Sequence, residues 1–219
     1  MRINKFVALA SGLSRRAADA AITSGRVTIN GAQPAVGQTV KPTDRLMLDG
    51  QSIRAPAIAT NIMFNKPYGY VCSREGQGSS TIYELLPPEY HALKPVGRLD
   101  RNSTGLLLLT NDGELANQLT HPRYAKTKIY EVSLRQHLEP LHQQVINDRG
   151  IMLEDGLSKL NLDKLNDAAT HFRVTMQEGR NRQIRRTFAA LGYNVTKLHR
   201  THFGNYDLGD LGSGKSKAL

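Results

Sequence analysis

The sequence predicts an α+β protein, a small α-rich N-terminal module followed by a larger domain on a mostly antiparallel sheet. Three observations lead there. The first 54 residues carry two helix patterns before any strand. From Asn61 onward helices and strands intermix and the strands outnumber the helices, which fits an antiparallel sheet with helices packed on it. Finally, 219 residues with 39% apolar and 22% charged side chains suffice for one larger and one smaller core.

Taken in order, Ile3 to Leu9 reads as a first helix ended at Gly12. Ser14 is placed to cap a second, alanine-rich helix that runs to Ser24 and stops at Gly25. Val27-Thr28-Ile29 with Asn30-Gly31 is a strand and a hairpin-type turn, and Leu46-Met47-Leu48 with Asp49-Gly50 repeats the pattern. Ala55 to Thr60 is small, uncharged and contains proline, so the expected division is a module over 1–54, a linker over 55–60, and a main domain over 61–212. Within that domain Ile62-Met63-Phe64 is a strand, and Thr81 to Leu86 a short helix stopped by Pro87 and Pro88. Leu106 to Leu109 is a continuous apolar run between turn formers, the pattern of a strand buried on both faces, although so short a run also fits a buried helix segment. Helices follow over Glu114 to Leu119, Leu141 to Asp148 and Arg182 to Leu191. Strands follow over Ile129 to Leu134, through Phe172, Val174 and Met176, and over Tyr193 to Leu198. The segment 213–219 is small, polar and basic, and is expected to be disordered.

Charge narrows the function. The net +10 is gathered at the two ends, +5 over residues 1–60 and +6 over residues 171–219, around a middle of −1. Two basic regions flanking a neutral one point to a polyanionic partner, against the alternative of an evenly solvated basic surface. One cysteine, Cys72, leaves no intramolecular disulfide and no cysteine-based zinc site, and the seven histidines lack ligand spacing, so no metal is expected. The run Phe6 to Ala10 is too short for a signal peptide, and no stretch approaches the roughly 20 apolar residues of a membrane span, so a cytoplasmic location is expected.

The chemistry concentrates in Pro95 to Gly113, PVGRLDRNSTGLLLLTNDG. Asp100 lies between Arg98 and Arg101 on a loop just before the apolar run, a carboxylate carried by a rigid element and flanked by charge that would keep it ionised. Standing alone, such an Asp reads equally as a turn cap in a structural ion pair. The longer stretch resembles the catalytic-aspartate motif of the pseudouridine synthases, in the RsuA/RluB-type branch that modifies ribosomal RNA. Asn65 to Gly69 (NKPYG), Lys128 to Val132 (KIYEV) and Glu178 to Arg186 (EGRNRQIRR) extend the resemblance over almost the whole chain. SRRAAD and ITSGRVTING resemble the RNA-binding domain first described in ribosomal protein S-four.

The resemblance implies a mixed sheet with a cleft across its middle, and conversion of one uridine in ribosomal RNA to pseudouridine without metal, nucleotide or flavin. It implies Asp100 as the catalytic carboxylate, Tyr130 beside the uracil, and Arg185 paired with the aspartate. Ile184 faces the core, so Arg185 is off the buried stripe, consistent with that role. Arg2, Lys5, Ser14, Arg15, Arg16 and Arg26 of the module, with Arg98, Arg101, Lys128, Arg180, Arg182 and Arg186, are the candidates for contact with RNA. The expected partner is ribosomal RNA, as a large-subunit assembly intermediate, met by a monomer. A small-subunit target and a noncatalytic assembly factor are the alternatives. An inactive relative should have lost Asp100, Tyr130 or Arg185, and all three are present. A two-carboxylate glycosidase lacks a partner for Asp100.

Overall fold

The strand that carries the functional loop has no polar face. It runs Thr104–Thr110, and Leu106, Leu107, Leu108 and Leu109 are each at most 2% exposed. Side chains alternate across a strand, so Leu107 and Leu109 enter one apolar cluster while Leu106 and Leu108 enter a second. Each fully buried leucine stabilises the fold by about 1.5–3 kcal/mol, so this strand anchors both layers.

A computed structural model describes residues 1–54 and 59–219; four residues of the expected linker, 55–58, lie outside the described residues. The chain divides into two units, Met1–Ala59 and Thr60–Leu219.

In the first unit, α1 (Ile3–Ser11) and α2 (Arg15–Thr23) bury Ile3, Val7 and Ala8 against Ala18, Ala21 and Ile22. Ser14 caps α2, its hydroxyl accepting from the Ala17 amide at 3.1 Å. These side chains cover an antiparallel sheet of β1 (Val27–Ile29), β2 (Leu46–Leu48) and β3 (Gln51–Ile53). The Asn30-Gly31 turn forms, with Ile29 and Ala32 exchanging both backbone hydrogen bonds at 2.8 and 3.0 Å. It does not join β1 to β2, because the chain loops out before β2 pairs back with β1. The second turn, Asp49-Gly50, joins β2 to β3. Gln51-Ser52-Ile53 holds a single apolar residue, which is why no strand is legible there.

The second unit runs β4 (Asn61–Lys66), β5 (Lys94–Val96), β6 (Thr104–Thr110), α3 (Gly113–Thr120), β7 (Lys128–Leu134), α4 (Pro140–Asp148), β8 (Ile151–Leu153), β9 (Gly156–Ser158), β10 (Asn161–Lys164), β11 (His171–Met176), α5 (Gln183–Ala189), β12 (Val195–Phe203), β13 (Tyr206–Asp207) and β14 (Ser216–Ala218). The main sheet has the order β10-β11-β7-β12-β6-β4-β14, with β13 on β12 and β5 on β6. It is mixed: β12 and β6 pair parallel, while the other strand pairs in this order are antiparallel. That parallel pairing holds only at His199↔Thr104 and Arg200↔Gly105, after which β5 takes over the same edge of β6 at Leu108 to Thr110. The sheet therefore opens at its centre.

Two expectations are corrected. The short helix expected over Thr81 to Leu86 shrinks to one 3-10 turn, Ile82–Glu84, whose Glu84 carboxylate accepts from the Thr81 amide at 2.7 Å. The segment 213–219 is ordered as β14, because β4 pairs with β6 on one edge and needs backbone partners on the other. Asn65 donates to Lys215 at 3.0 Å, Gly214 to Asn65 at 2.8 Å and Leu219 to Asn61 at 2.9 Å.

Gly105 is where β6 meets β12. Its φ is +102°, and a Cβ built there would lie 2.2 Å from the Arg200 carbonyl oxygen. Gly105→Ala is expected to cost roughly 2–5 kcal/mol, from strain at positive φ and overpacking against backbone. Gly209→Ala, also at positive φ but with nothing within 4 Å, is expected to cost less. Urea unfolding of the two variants checks this; equal costs would show that the close approach is unimportant.

Candidate active site

The turn Asp100-Arg101-Asn102-Ser103 leads directly into β6, and each of its four carbonyls has a donor. The Ser103 amide donates to Asp100 at 3.0 Å, closing the turn, and the Gly69 amide donates to Arg101 at 2.8 Å. Arg185 Nη2 donates to the Asn102 carbonyl at 2.8 Å, and Lys66 Nζ to the Ser103 carbonyl at 2.7 Å. Just upstream, the buried Cys72 Sγ accepts from the Leu99 amide at 3.4 Å and donates to the Leu99 carbonyl at 3.3 Å. Donors from three separate segments thus fix the loop that presents Asp100.

The Asp100 carboxylate opens into a cavity of about 800 Å³ within the second unit, lined among others by Arg98, Leu99, Tyr130, Arg182, Leu198 and Arg200. The Asp100 side chain is 36% exposed and pairs with Arg182, Nη1 to Oδ2 at 3.5 Å. Tyr130 is buried, 8% exposed, and shares the cavity wall. The sequence brings these together because Tyr130 sits on β7 opposite Arg200 of β12, beside the opening of the sheet.

Arg185 is placed differently from expectation. Its terminal nitrogens donate to two backbone carbonyls, Nη1 to Val195 at 2.7 Å and Nη2 to Asn102, and the ion pair with Asp100 is made by Arg182. Arg185 therefore holds the loop by its carbonyl and lies within reach of the Asp100 charge without pairing with it. Burial and the Arg182 charge pull its guanidinium below the usual range, with Asp100 and Tyr68 opposing. Arg182 itself caps α5 at φ +47°, a left-handed backbone that costs a non-glycine residue on the order of 1 kcal/mol or more.

The other candidate RNA contacts divide into open and committed. Arg98 and Arg101 are exposed on the cavity wall, with Arg101 Nε donating to Gly69 at 3.2 Å. Lys128 is half-buried over the Phe203 ring, and burial with the Arg200 charge lowers its pKa. Arg180, by contrast, donates to the Asp155 carboxylate and carbonyl, to Gly156 and Leu157 carbonyls and to Glu178, while Arg186 pairs with Asp155 at 2.7 Å. These two brace the β8–β9 hairpin to the start of α5 and have few donors left for phosphate. In the first unit Arg2, Arg15 and Arg16 are exposed and Lys5 is half-buried, Ser14 is committed as a cap, and Arg26 grips Asp49 with a two-pronged ion pair, Nε to Oδ1 at 2.7 Å.

Two cations escape sequence reasoning. Lys66 is fully buried, donating also to the Pro67 carbonyl at 2.9 Å, and Arg200 is 2% exposed. In sequence, Lys66 is visible only as part of NKPYG and Arg200 only as one more basic residue near the C-terminus. An ionised carboxylate in a cavity walled by fixed cations is suited to act on a bound group as nucleophile or base, and an aromatic wall beside it suits a planar ring.

The match to known proteins agrees. Residues 60–190 match the family model described as RNA pseudouridylate synthase. The chain is 40% identical over 226 residues to "Ribosomal large subunit pseudouridine synthase B" of Xanthomonas campestris pv. campestris, covering 94% of this chain and 44% of that protein. It is 36% identical to "Ribosomal small subunit pseudouridine synthase A" of Pasteurella multocida, covering 100% of this chain and 96% of that protein. A solved structure titled "Crystal structure of pseudouridylate synthase" aligns over 100% of this chain and 96% of its own with TM-score 0.71 and 32% identity. The chain spans less than half the length of several large-subunit relatives it matches.

Burial lowers the Lys66 pKa to about 8, with attraction to Cys72 and Asp100 offsetting part of the effect. An unfolded lysine titrates near 10.4, so between about 8 and about 10.4 the unfolded chain binds a proton that the folded chain has released, and stability rises with pH. The stability gap between the wild type and Lys66→Met is therefore expected to widen in favour of the wild type by on the order of 1 kcal/mol from about pH 7 to about pH 9.5. Urea unfolding at both pH values checks it, and a pH-independent gap refutes the lowered pKa.

Proposed function

The chain belongs to the RNA pseudouridylate synthase family, and from that membership we propose that it isomerises one uridine of ribosomal RNA to pseudouridine, with Asp100 as the catalytic carboxylate. The observation that carries the reading is Asp100 held by a fully bonded turn, open to a cavity that also holds Tyr130. The reaction moves the sugar from a ring nitrogen to a ring carbon. The C1′–N1 bond breaks, the uracil turns, a C1′–C5 bond forms, and the C5 proton is lost while N1 gains one. Composition is unchanged, so no co-reactant is needed.

Asp100 works on the nucleoside as nucleophile or as base, and Tyr130 lies against the uracil face, where its hydroxyl can carry a proton. Arg182 pairs with the carboxylate from the open side, and Arg185 positions the turn. A base within structured RNA must be extruded to reach the cavity, at a cost of a few kcal/mol. Phosphate contacts offset that cost, and we assign them to Arg98, Arg101 and Arg182 at the cavity and to Arg2, Arg15 and Arg16 in the N-terminal module, read as an RNA-binding domain of the ribosomal protein S-four type.

Large-subunit RNA is the proposed target. GRLDRNSTGLLLLTNDGELA, LTHP and KIYEV support it, as do the names of several relatives about 37–40% identical. The small-subunit relative of nearly matching length keeps the other target as the second reading. Carbodiimide mapping of both ribosomal RNAs from a strain lacking the gene tests both at once. A site lost from the large subunit is expected; one lost only from the small subunit refutes the target, and none lost refutes the activity.

Asp100→Asn is expected to lower single-turnover isomerisation roughly a thousandfold or more while leaving RNA affinity within about twofold. Residual activity near the wild-type rate would remove Asp100 from the chemistry.

Arg15→Gln with Arg16→Gln is expected to weaken RNA binding and to flatten the slope of log affinity against log salt by about 0.7–0.9 for each phosphate no longer neutralised. Filter binding across a salt series measures it, and an unchanged slope would show that α2 does not meet phosphate.

A further inference from the structure

Among the described residues, three buried side-chain polar atoms have no hydrogen-bond partner: Ser103 Oγ, Arg185 Nε and Arg200 Nη2. All three belong to residues of the site. A lone buried donor on a cation is the costliest of these, because burying charge without a partner is strongly unfavourable.

Arg200 is held by one hydrogen bond, Nε to the Leu106 carbonyl at 2.8 Å, and its guanidinium lies 4.8 Å from the centre of the Phe203 ring. Among the described residues no carboxylate pairs with it. Arg200 lines the cavity, opposite Tyr130 in the β12–β7 register, and Lys128 lies over the same Phe203 ring at 5.3 Å. The fold has gone to some length to hold it there: Gly105 alone lets β6 approach the Arg200 backbone, and β6 supplies the carbonyl that orients the side chain. A phosphate is a poor match, since a residue 2% exposed is too deep for the RNA backbone, which the exposed Arg98, Arg101 and Arg182 meet at the surface.

We infer that Arg200 is a further catalytic residue: it stabilises the negative charge that the uracil acquires when its bond to the sugar breaks. This rests on the isomerase reading given above. When C1′–N1 breaks, the electron pair leaves with the ring, and the charge spreads over N1 and the two carbonyl oxygens. A terminal guanidinium nitrogen donates to one of those oxygens, and the fixed positive charge stabilises the anion while it turns beside Tyr130. The same electron pair then forms the C5–C1′ bond, C5 gives up its proton, N1 takes one, and the charge on the ring disappears. A preorganised donor held at a buried position acts most strongly where charge develops, so Arg200 lowers the barrier more than it tightens binding.

The test compares wild type, Arg200→Met and Arg200→Lys in single turnover on transcribed ribosomal RNA carrying either uridine or 5-fluorouridine, with thermal unfolding and RNA affinity measured alongside. Consumption of the starting nucleoside is read by nuclease digestion and chromatography. Loss of one such donor is expected to slow uridine consumption by roughly 100–1000-fold, with affinity little changed. Fluorine withdraws electrons and stabilises the uracil anion by itself, so the defect of Arg200→Met is expected to shrink at least tenfold on the fluorinated RNA. Arg200→Lys, which keeps the charge, is expected to recover at least tenfold of the loss and serves as the informative variant if Arg200→Met fails to fold. Equal defects on both RNAs, or a Lys variant that is well folded yet as slow as Met, overturn the inference. A wild type that converts neither RNA overturns the isomerase reading instead.

Discussion

The site depends on the saturation of four backbone carbonyls in one turn. A loop that must expose a carboxylate cannot be buried, and an exposed loop is ordinarily mobile. Here Asp100, Arg101, Asn102 and Ser103 each offer a carbonyl to a defined donor: an amide within the turn, the Gly69 amide, the Arg185 guanidinium and the Lys66 ammonium. Two of those donors are charged, and charge-assisted hydrogen bonds are roughly twice as strong as neutral ones. The turn is thereby tied through every one of its carbonyls, and it presents Asp100 at the cavity.

Fold and chemistry meet again at Gly105. The approach of β12 to β6 there ties the two apolar layers together and carries Arg200 into the cavity wall. Beyond that point the strands separate, β5 replaces β12 along β6, and the opening becomes the cavity. Electrostatics follow the same geometry: Asp100 faces Arg182, buried Lys66 lies near enough to feel its charge, and Arg200 lines the same cavity. Such an excess of fixed positive charge favours an anionic ligand and an anionic transition state. Lys66 shows the cost, since burial pushes its pKa down to about 8.

Arginines close in sequence acquire unlike tasks. In EGRNRQIRR, Arg182 faces Asp100, Arg185 reaches back to the Asn102 and Val195 carbonyls, and Arg180 and Arg186 fasten onto Asp155. Their spacing around the start of α5 sends Arg182, Arg185 and the Arg180–Arg186 pair to three different partners. The hairpin carrying Asp155, β8 with β9, stays hidden in sequence because each strand has three residues and little alternation.

By itself the sequence determined what local patterning encodes. A leucine run with no polar alternation specifies a strand buried on both faces; Ser14 ahead of an alanine-rich stretch specifies a capped helix; GRLDRN ahead of that run specifies the turn that presents a carboxylate. These depend on residues near one another in the chain, and they hold in the structure as elements. The partner of each charge is another matter. Whether Arg182 or Arg185 pairs with Asp100, whether Arg180 is free for phosphate, and why Lys66 and Arg200 are buried depend on pairings between residues as far as 94 positions apart. The register between β12 and β6, and the space left by Gly105, set those pairings. The tail at 213–219 makes the same point: its polar, basic composition describes a solvated segment, yet it became a strand because β4 had an edge to pair. A backbone edge is created only when the sheet assembles, and no side-chain pattern records it.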